Sequence, residues 1–209
     1  MRILAAPGQG SQKPGFLEPW LADPAARQTL EHWSALIDLD LVAHGTTSDA
    51  ETIRDTRVAQ PLIVAAGLLT GRKALKALGD NPLHLAGHSV GEITAAALAG
   101  VFSDDEAMQF VAARGRAMAD AAALTPTGMS AVVGAGFDVV APLLEGMNLR
   151  PANVNSDSQI VAAGLVDDLA ALRENPPEGT RVIPLDVAGA FHTDFMAPAQ
   201  DRLREVAST

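Results

Sequence analysis

A serine flanked by two glycines is the first feature of this sequence that could carry chemistry. Gly87-His88-Ser89-Val90-Gly91 has the pattern G-x-S-x-G and lies between a predicted strand and a predicted helix. A sharp strand-to-helix turn requires glycine where a side chain would clash, and it exposes the serine hydroxyl beyond the end of the strand. The free N–H groups at the helix N-terminus can then stabilise an oxyanion. The pattern favours a nucleophilic serine at position 89, and the alternative is a purely structural glycine turn.

A serine hydroxyl is a weak nucleophile, so a base is expected among the five histidines of the chain. His192 follows a predicted strand in a loop that also contains Gly189, where a base can be presented to a site. His88 is adjacent to the serine, but at such a turn its side chain should point away from the nucleophile. Each histidine taken alone is more simply a structural residue. Only the pairing with Ser89 selects His192.

Arg114 lies in an otherwise apolar helical stretch, AMQFVAARG. A helical arginine is usually a solvated surface residue, as Arg116 can be. The apolar neighbours of Arg114 suggest instead that its side chain points inward. A buried guanidinium binds a carboxylate through two parallel hydrogen bonds. If no acid of the protein is its partner, the carboxylate of a substrate is.

Two further segments place polar residues in turns. Gly8-Gln9-Gly10-Ser11-Gln12 follows the first predicted strand and is either a tight turn or part of a site. Asn153, Asn155 and Gln159 are either turn residues or polar contacts that line a cleft.

The elements that would position these residues form two patterns. Residues 2–6 and 83–86 are short apolar runs typical of buried strands. One helix is predicted over 61–78, with Pro61 at its start. Another is predicted from a capping box at Ser103–Glu106 to about Ala122. From residue 129 the order becomes β-α-β-β-α-β, which is that of a small ferredoxin-like unit. We therefore predict a larger α/β subdomain formed by residues 1–127 and 188–209, with a small α+β subdomain, residues 128–187, inserted in it.

Composition excludes several classes of protein. The 209 residues carry a net charge of −10, which disfavours nucleic acid as a partner, and they contain no cysteine, so disulfides and thiolate metal sites are ruled out. No apolar run reaches the roughly 20 residues of a membrane span, and the N-terminus is unlike a signal peptide. A cytoplasmic protein is the expectation. An acidic partner would need a local basic patch, for which Arg72, Lys73 and Lys76 are candidates, although a solvated helix face explains them equally well.

Seven segments together resemble the malonyl-CoA:acyl carrier protein transacylases and the related acyltransferase domains of polyketide synthases. They occur in the order found in that family and cover essentially the whole chain: PGQGSQ (7–12), VAQPLIVAA (58–66), AGHSVGEITAAALAGV (86–101), ARGRAM (113–118), TGMSAVVG (127–134), ANVNSDSQIVAAG (152–164) and GAFHTDFM (189–196).

The resemblance implies an α/β fold, with a hydrolase-like parallel-sheet core and an inserted ferredoxin-like subdomain. It also implies transfer of malonyl from malonyl-CoA to the phosphopantetheine thiol of acyl carrier protein, in fatty acid or polyketide synthesis, with no metal and no bound cofactor. By residue, the resemblance implies Ser89 as nucleophile and His192 as its base, the backbone N–H groups of Gln9 and Val90 as oxyanion hole, and Arg114 as the carboxylate-binding residue. It further implies that Gln60, Asn153 and Asn155 are polar residues of the cleft. Phe191, a bulky residue before the histidine, matches relatives that prefer malonyl over methylmalonyl.

One departure from the family concerns length. Its members usually continue beyond the helix that is predicted here near Thr209, so the resemblance implies that the family's C-terminal stretch is lacking. Two other functions stay open. A serine hydrolase or thioesterase would share the turn at Ser89 and pass the acyl group to water, and the missing stretch suggests an inactive fragment that binds a carrier protein.

Overall fold

The computed structural model describes residues 2–79 and 83–207, and it shows a mixed α/β fold with one parallel and one antiparallel sheet. By its internal contacts the chain divides into two compact units, residues 1–116 and 117–209. No helix within the described residues is long and apolar enough to cross a membrane. The elements are Ile3–Ala6 (β1), Pro24–Ile37 (α1), Leu41–Thr46 (α2), Thr56–Leu78 (α3), His84–Gly87 (β2), Gly91–Leu98 (α4), Asp104–Ala122 (α5), Thr127–Val133 (β3), Phe137–Gly146 (α6), Arg150–Ser156 (β4), Gln159–Leu165 (β5), Val166–Glu174 (α7), Arg181–Pro184 (β6) and Ala197–Val206 (α8).

In the first unit, β1 and β2 pair in parallel, with Ala6 opposite Gly87 at their carboxyl ends. Both predicted strands are confirmed. Helices α3 and α4 pack closely because two glycines of α3 leave room for side chains of α4: a Cβ at Gly67 would lie 2.8 Å from Cγ2 of Thr94, and one at Gly71 would overlap Leu98. The buried core of this unit is formed mainly by α3 and its neighbours.

Helix α3 begins earlier than the sequence suggested. The prediction placed its start at Pro61, but the helix begins at Thr56 and contains Pro61 in its interior. The side chain of Asp55, six residues before the proline, caps the helix by accepting a hydrogen bond of 2.8 Å from the Arg57 N–H. Pro61 then removes one helical hydrogen bond. Pro61 is buried, as are its neighbours Gln60 and Leu62, so this part of the helix also gains stability from packing.

Two helices of the first unit were not predicted. In α1 the side chain of Asp23 caps a helix that has Pro24 at its first position, and in α2 the side chain of Asp40 accepts a hydrogen bond from the Ala43 N–H. The buried residues of α1 recur at helical spacing: Ala26, Leu30, Trp33 and Ile37.

Helix α5 begins as predicted. The Ser103 N–H donates to the Glu106 carboxylate at 2.7 Å, and the Glu106 N–H donates to Ser103 Oγ at 3.2 Å, which is a reciprocal capping box. These hydrogen bonds hold the pKa of the Glu106 carboxyl below its usual range. The helix ends at Ala122, and the boundary between the two units falls within it.

In the second unit, four strands form an antiparallel sheet in the order β4-β5-β3-β6, and the chain order is β-α-β-β-α-β as predicted. Both faces of the two central strands, β5 and β3, are largely buried. Val132 and Ile160 belong to an apolar cluster with residues of α6 and α7, whereas Met129 and Val161 belong to a second cluster with residues of the 190–199 segment. The subdomain bounds predicted from the sequence, at 127/128 and 187/188, stay a prediction.

Candidate active site

The turn that carries Ser89 joins the end of β2 to the start of α4. Ser89 has a φ of 53°, in the left-handed region, and its carbonyl accepts a hydrogen bond of 3.0 Å from the Glu92 N–H. The turn is tied to β1 because the His88 N–H donates to the Ala6 carbonyl at 3.0 Å. A serine with positive φ costs of order 1–3 kcal/mol and persists only where the surrounding structure fixes it. The strand-to-helix turn predicted from G-x-S-x-G is confirmed.

The two glycines of the turn are required because backbone atoms occupy the space of their missing side chains. A Cβ at Gly87 would overlap the backbone nitrogen of Glu92, and a Cβ at Gly91 would overlap the carbonyl oxygen of Ala6. A backbone atom cannot move aside as a flexible side chain can. The pattern G-x-S-x-G is therefore dictated here by the packing of β1, β2 and α4.

Two backbone N–H groups near the serine are unused. Val90 is the residue before the first turn of α4, and Gln9 lies in the turn after β1. In the part of the chain that the structure describes, neither N–H group donates a hydrogen bond. Both are therefore available as donors to an oxyanion.

A chain of hydrogen bonds runs through four side chains of the first unit. Arg114 Nη1 donates to Gln60 Oε1 at 2.7 Å, Gln60 Nε2 donates to Gln9 Oε1 at 3.4 Å, and Gln9 Nε2 donates to Thr56 Oγ1 at 3.3 Å. The other terminal nitrogen of the guanidinium, Arg114 Nη2, donates to Ser89 Oγ at 3.4 Å. Three predicted site residues, Gln9, Gln60 and Arg114, are thus linked to Ser89.

Arg114 is held without an acidic partner. Its side chain is part-buried, and among residues 2–79 and 83–207 it forms no ion pair with a carboxylate. Burial lowers the pKa of the Arg114 guanidinium, and the negative charge of Glu92 opposes that shift. A part-buried cation whose protein partners are neutral favours an anionic ligand. Arg116, by contrast, is exposed and donates to the Ile37 carbonyl at 3.3 Å, as expected of a surface residue.

Helix α5 can hold Arg114 at this place because the next residue is a glycine. A Cβ at Gly115 would lie 2.8 Å from the carbonyl oxygen of Thr56, at the start of α3. The absence of that Cβ lets the two helices approach where Thr56, Gln60 and Arg114 meet. Sequence reasoning missed Thr56 and Gly115; the Asp55-Thr56 helix start and the ARGRAM segment were the available signals.

His192 belongs to the second unit, in the turn that follows the last strand. It is exposed and has a φ of 62°. Its loop is anchored on both sides: the Ala190 N–H donates to Thr127 Oγ1 at 3.0 Å, and Thr193 Oγ1 donates to the Ala190 carbonyl at 2.6 Å. Thr193 also caps the short turn that follows, by accepting from the Phe195 N–H. An exposed imidazole on an anchored loop suits a base, but its pairing with Ser89 stays a prediction.

The other predicted site residues of the second unit differ in exposure. Phe191 is 5% exposed and packs in the apolar cluster that contains Met129 and Val161. Asn153 is part-buried on β4, opposite Val161. Asn155 is exposed, and its amide donates to Gln159 Oε1 at 3.0 Å across the β4–β5 hairpin. Their contact with a substrate stays a prediction.

The candidate basic patch on α3 is partly neutralised. The Arg72 guanidinium forms an ion pair of 2.6 Å with Asp104, and the Lys73 ammonium lies 5.3 Å from the centre of the Trp20 ring. The solvated helix face is therefore the better interpretation of this cluster.

Comparison with known proteins identifies the family of this chain. The family model described as an acyl transferase domain matches residues 5–209. The chain is 52% identical over 203 residues to a malonyl CoA-acyl carrier protein transacylase of Mycobacterium tuberculosis, covering 96% of this chain and 67% of that protein. It also covers 70% of the chain in a crystal structure of MCAT from Mycobacterium tuberculosis, with 51% identity and a TM-score of 0.96. A malonyl-transacylase solved in complex with a type II PKS acyl-carrier protein is 29% identical, with a TM-score of 0.87. This chain belongs to the acyl transferase domain family.

Proposed function

We propose that this chain transfers a malonyl group from malonyl-CoA to the phosphopantetheine thiol of an acyl carrier protein, through an acyl-enzyme on Ser89. The observation that carries the proposal is the pairing of a serine on a strained strand-to-helix turn with Arg114, a part-buried cation bound by neutral side chains. A serine of this kind can accept an acyl group. The arginine selects an acyl group that bears a carboxylate.

In the first half of the reaction, Ser89 Oγ attacks the thioester carbonyl carbon and gives its proton to His192. The tetrahedral intermediate places negative charge on the former carbonyl oxygen, and the N–H groups of Val90 and Gln9 donate to it. Collapse breaks the carbon–sulfur bond, and the CoA thiolate leaves with the proton from His192. The product is a malonyl ester of Ser89.

In the second half, the phosphopantetheine thiol gives its proton to His192, and its sulfur attacks the ester carbonyl. Ser89 Oγ leaves and recovers the proton. The acyl carrier protein departs as a malonyl thioester, and the protein returns to its starting state. Each half exchanges one acyl bond for another, so no redox partner is required, and we propose that neither a metal nor a bound cofactor takes part.

Arg114 would bind the free carboxylate of malonyl during both halves. Its contact with Ser89 Oγ is long, at 3.4 Å, and is therefore weak. A carboxylate accepts two charge-assisted hydrogen bonds from a guanidinium and can displace the hydroxyl from that nitrogen. Gln60 would keep the guanidinium in place through its 2.7 Å bond.

We also propose the finer architecture that the resemblance implies. The parallel pair β1–β2 with α3 and α4 supports a hydrolase-like core, and the strand order β4-β5-β3-β6 supports a ferredoxin-like subdomain. The proposed partners are malonyl-CoA and an acyl carrier protein. The proposed location is the cytoplasm, and the proposed role is in fatty acid or polyketide synthesis.

Intact-mass spectrometry tests the function directly. Incubation with malonyl-CoA should add one malonyl group to the protein, and Ser89→Ala should remove the adduct while the circular dichroism spectrum stays unchanged. His192→Ala should slow adduct formation by roughly 10²–10⁴-fold, the usual contribution of a positioned base.

The fate of the adduct separates the competing functions. Addition of holo acyl carrier protein should discharge the malonyl group onto its thiol faster than water does. Discharge to water at the same rate with and without carrier protein would indicate a hydrolase. A wild-type protein that binds carrier protein and forms no adduct would indicate an inactive fragment.

A further inference from the structure

We infer that Thr56 is a positioning residue, which fixes the orientation of the Arg114 guanidinium through the side-chain amides of Gln9 and Gln60. The inference deepens the proposed function and rests on it. Thr56 was not among the residues expected at the site, and its hydroxyl accepts a hydrogen bond from Gln9 Nε2. Its importance follows from the direction of the hydrogen bonds between them.

The direction of the chain is forced from the arginine end. A guanidinium has donors and no acceptor, so Gln60 must present its Oε1 to Arg114. The amide nitrogen of Gln60 then points the other way and requires an acceptor, which is Gln9 Oε1. The same argument turns the nitrogen of Gln9 toward an acceptor of its own, Thr56 Oγ1. The chain ends at a hydroxyl, which can accept.

Burial of these side chains makes the direction of their hydrogen bonds important. Gln60 and Thr56 are each 1% exposed and Gln9 is part-buried, so water has limited access to these hydrogen bonds. If the acceptor at position 56 is removed, the Gln9 amide loses the partner of its nitrogen and is free to rotate. Rotation that presents the Gln9 nitrogen to the Gln60 nitrogen sets donor against donor, and this repulsion disturbs the side-chain amide of Gln60. Because Gln60 Oε1 accepts from Arg114 Nη1, the orientation of the guanidinium changes with it.

Thr56 is itself held on a rigid part of the scaffold. It is the first residue of α3, directly after the capping residue Asp55. Its carbonyl oxygen lies against Gly115 of α5, the residue after Arg114. Both ends of the hydrogen-bonded chain are thus fixed to the same contact between α3 and α5, and the two glutamine amides span the space between them.

The test compares Thr56→Val, which removes the acceptor and keeps the branched shape, with Thr56→Ser, which keeps the hydroxyl. The readout is the ratio of kcat/KM for malonyl-CoA to that for acetyl-CoA, which lacks the carboxylate. The hydrogen bond that Thr56→Val removes is long, at 3.3 Å, so a change at the low end for one net hydrogen bond is expected, about threefold. We expect Thr56→Val to lower the ratio by that factor and Thr56→Ser to leave it at the wild-type value.

Two results would overturn the inference. Equal losses with both substrates would make Thr56 a structural residue only, and a Thr56→Ser protein as impaired as Thr56→Val would show that the hydroxyl is not what matters. Failure of the wild-type protein to form a malonyl adduct would instead reject the proposed function.

A second measurement does not depend on activity. In ¹⁵N-resolved NMR spectra, Thr56→Val should shift the side-chain amide signals of Gln9 and Gln60 and the Nε–H signal of Arg114, and Thr56→Ser should leave them near their wild-type positions. Signals that Thr56→Val leaves unchanged would contradict the inference even if the protein proves inactive.

Discussion

Arg114 Nη2 lies 3.4 Å from Ser89 Oγ, so the cation is a direct neighbour of the proposed nucleophile. A carboxylate bound to this guanidinium would lie beside the hydroxyl that we propose attacks the thioester. In malonyl, one methylene separates the carboxylate from the thioester carbonyl, and an arginine adjacent to the serine suits so short a spacing. The preference for a particular acyl group and the chemistry of transfer are thus linked by one contact.

Replacement of Arg114 should lower the rate of malonyl transfer without lowering that of acetyl transfer. Arg114→Ala removes a charge-assisted partner, which typically costs about 1.5–3 kcal/mol, or roughly 10–150-fold in kcat/KM for malonyl-CoA. Acetyl transfer, which uses no carboxylate contact, should be unchanged or increased. The measurement is adduct formation from each CoA ester. Arg116→Ala is the matched control, since that exposed arginine of the same helix should be dispensable; equal losses on both substrates in Arg114→Ala would mean that Arg114 is structural.

Gly115→Ala should damage the site through packing alone. The added Cβ would lie 2.8 Å from the Thr56 carbonyl oxygen, so α3 and α5 must separate. Overpacking of this kind costs about 1–3 kcal/mol, and adduct formation should fall because Gln60 and Arg114 are carried by those helices. Urea denaturation and adduct kinetics measure the two effects. Gly146→Ala is the control, because open space surrounds that helical glycine and the change should leave stability and adduct formation unaltered. Similar losses of stability and of adduct formation in both variants would contradict the packing argument.

Phe191 is expected to influence the choice between malonyl-CoA and methylmalonyl-CoA. The wild-type protein should use malonyl-CoA at least roughly ten times better, since accommodating an extra methyl group in a filled pocket costs about 1–3 kcal/mol. Phe191→Ser should narrow that ratio of kcat/KM values. Because Phe191 is 5% exposed in an apolar cluster, the same change should also lower stability by about 3–5 kcal/mol.

The ratio of kcat/KM for malonyl-CoA to that for methylmalonyl-CoA distinguishes a change in substrate preference from a loss of stability in Phe191→Ser. Phe195→Ser, at a partly buried position packed against the same cluster, should lower stability and leave the ratio unchanged. If Phe191→Ser also leaves it unchanged, the ring packs in the core and does not meet the substrate.

Thr94→Val should stabilise the protein. Thr94 Oγ1 is buried, and within residues 2–79 and 83–207 it has no hydrogen-bond partner. An unsatisfied buried hydroxyl costs about 1–3 kcal/mol, and valine has the same shape without that group. The free energy of unfolding in urea should rise by about 1 kcal/mol. Thr127→Val is the control, because Thr127 Oγ1 accepts from the Ala190 N–H and its loss should be destabilising; a destabilised Thr94→Val protein would contradict the account.

Local patterns predicted the parts of this structure that depend on local interactions. The capping box of Ser103 and Glu106 was readable because its two partners are three residues apart, and the turn at Ser89 was readable because its glycines have fixed spacing. The order of strands and helices in the second unit followed from hydrophobic periodicity. The start of α3 was misplaced because Pro61 was given more weight than the cap at Asp55.

Contacts between distant residues were beyond the reach of those patterns. The bond between Gln9 and Thr56 joins residues 47 apart in the sequence, and that between Gln60 and Arg114 joins residues 54 apart. Neither helix alone indicates which of its polar residues will face the other. Resemblance to a family supplied Gln9, Gln60 and Arg114 as separate residues, but their connection through Thr56 requires the packed structure.

The left-handed conformation of Ser89 implies a conflict between folding and chemistry at one position. Glycine adopts a φ of 53° without steric penalty, whereas serine does so only at a cost. Evolution in the laboratory toward heat resistance, with no demand for acyl transfer, should therefore favour Ser89→Gly. If serine is retained at position 89 in such an experiment, selection for activity has continued.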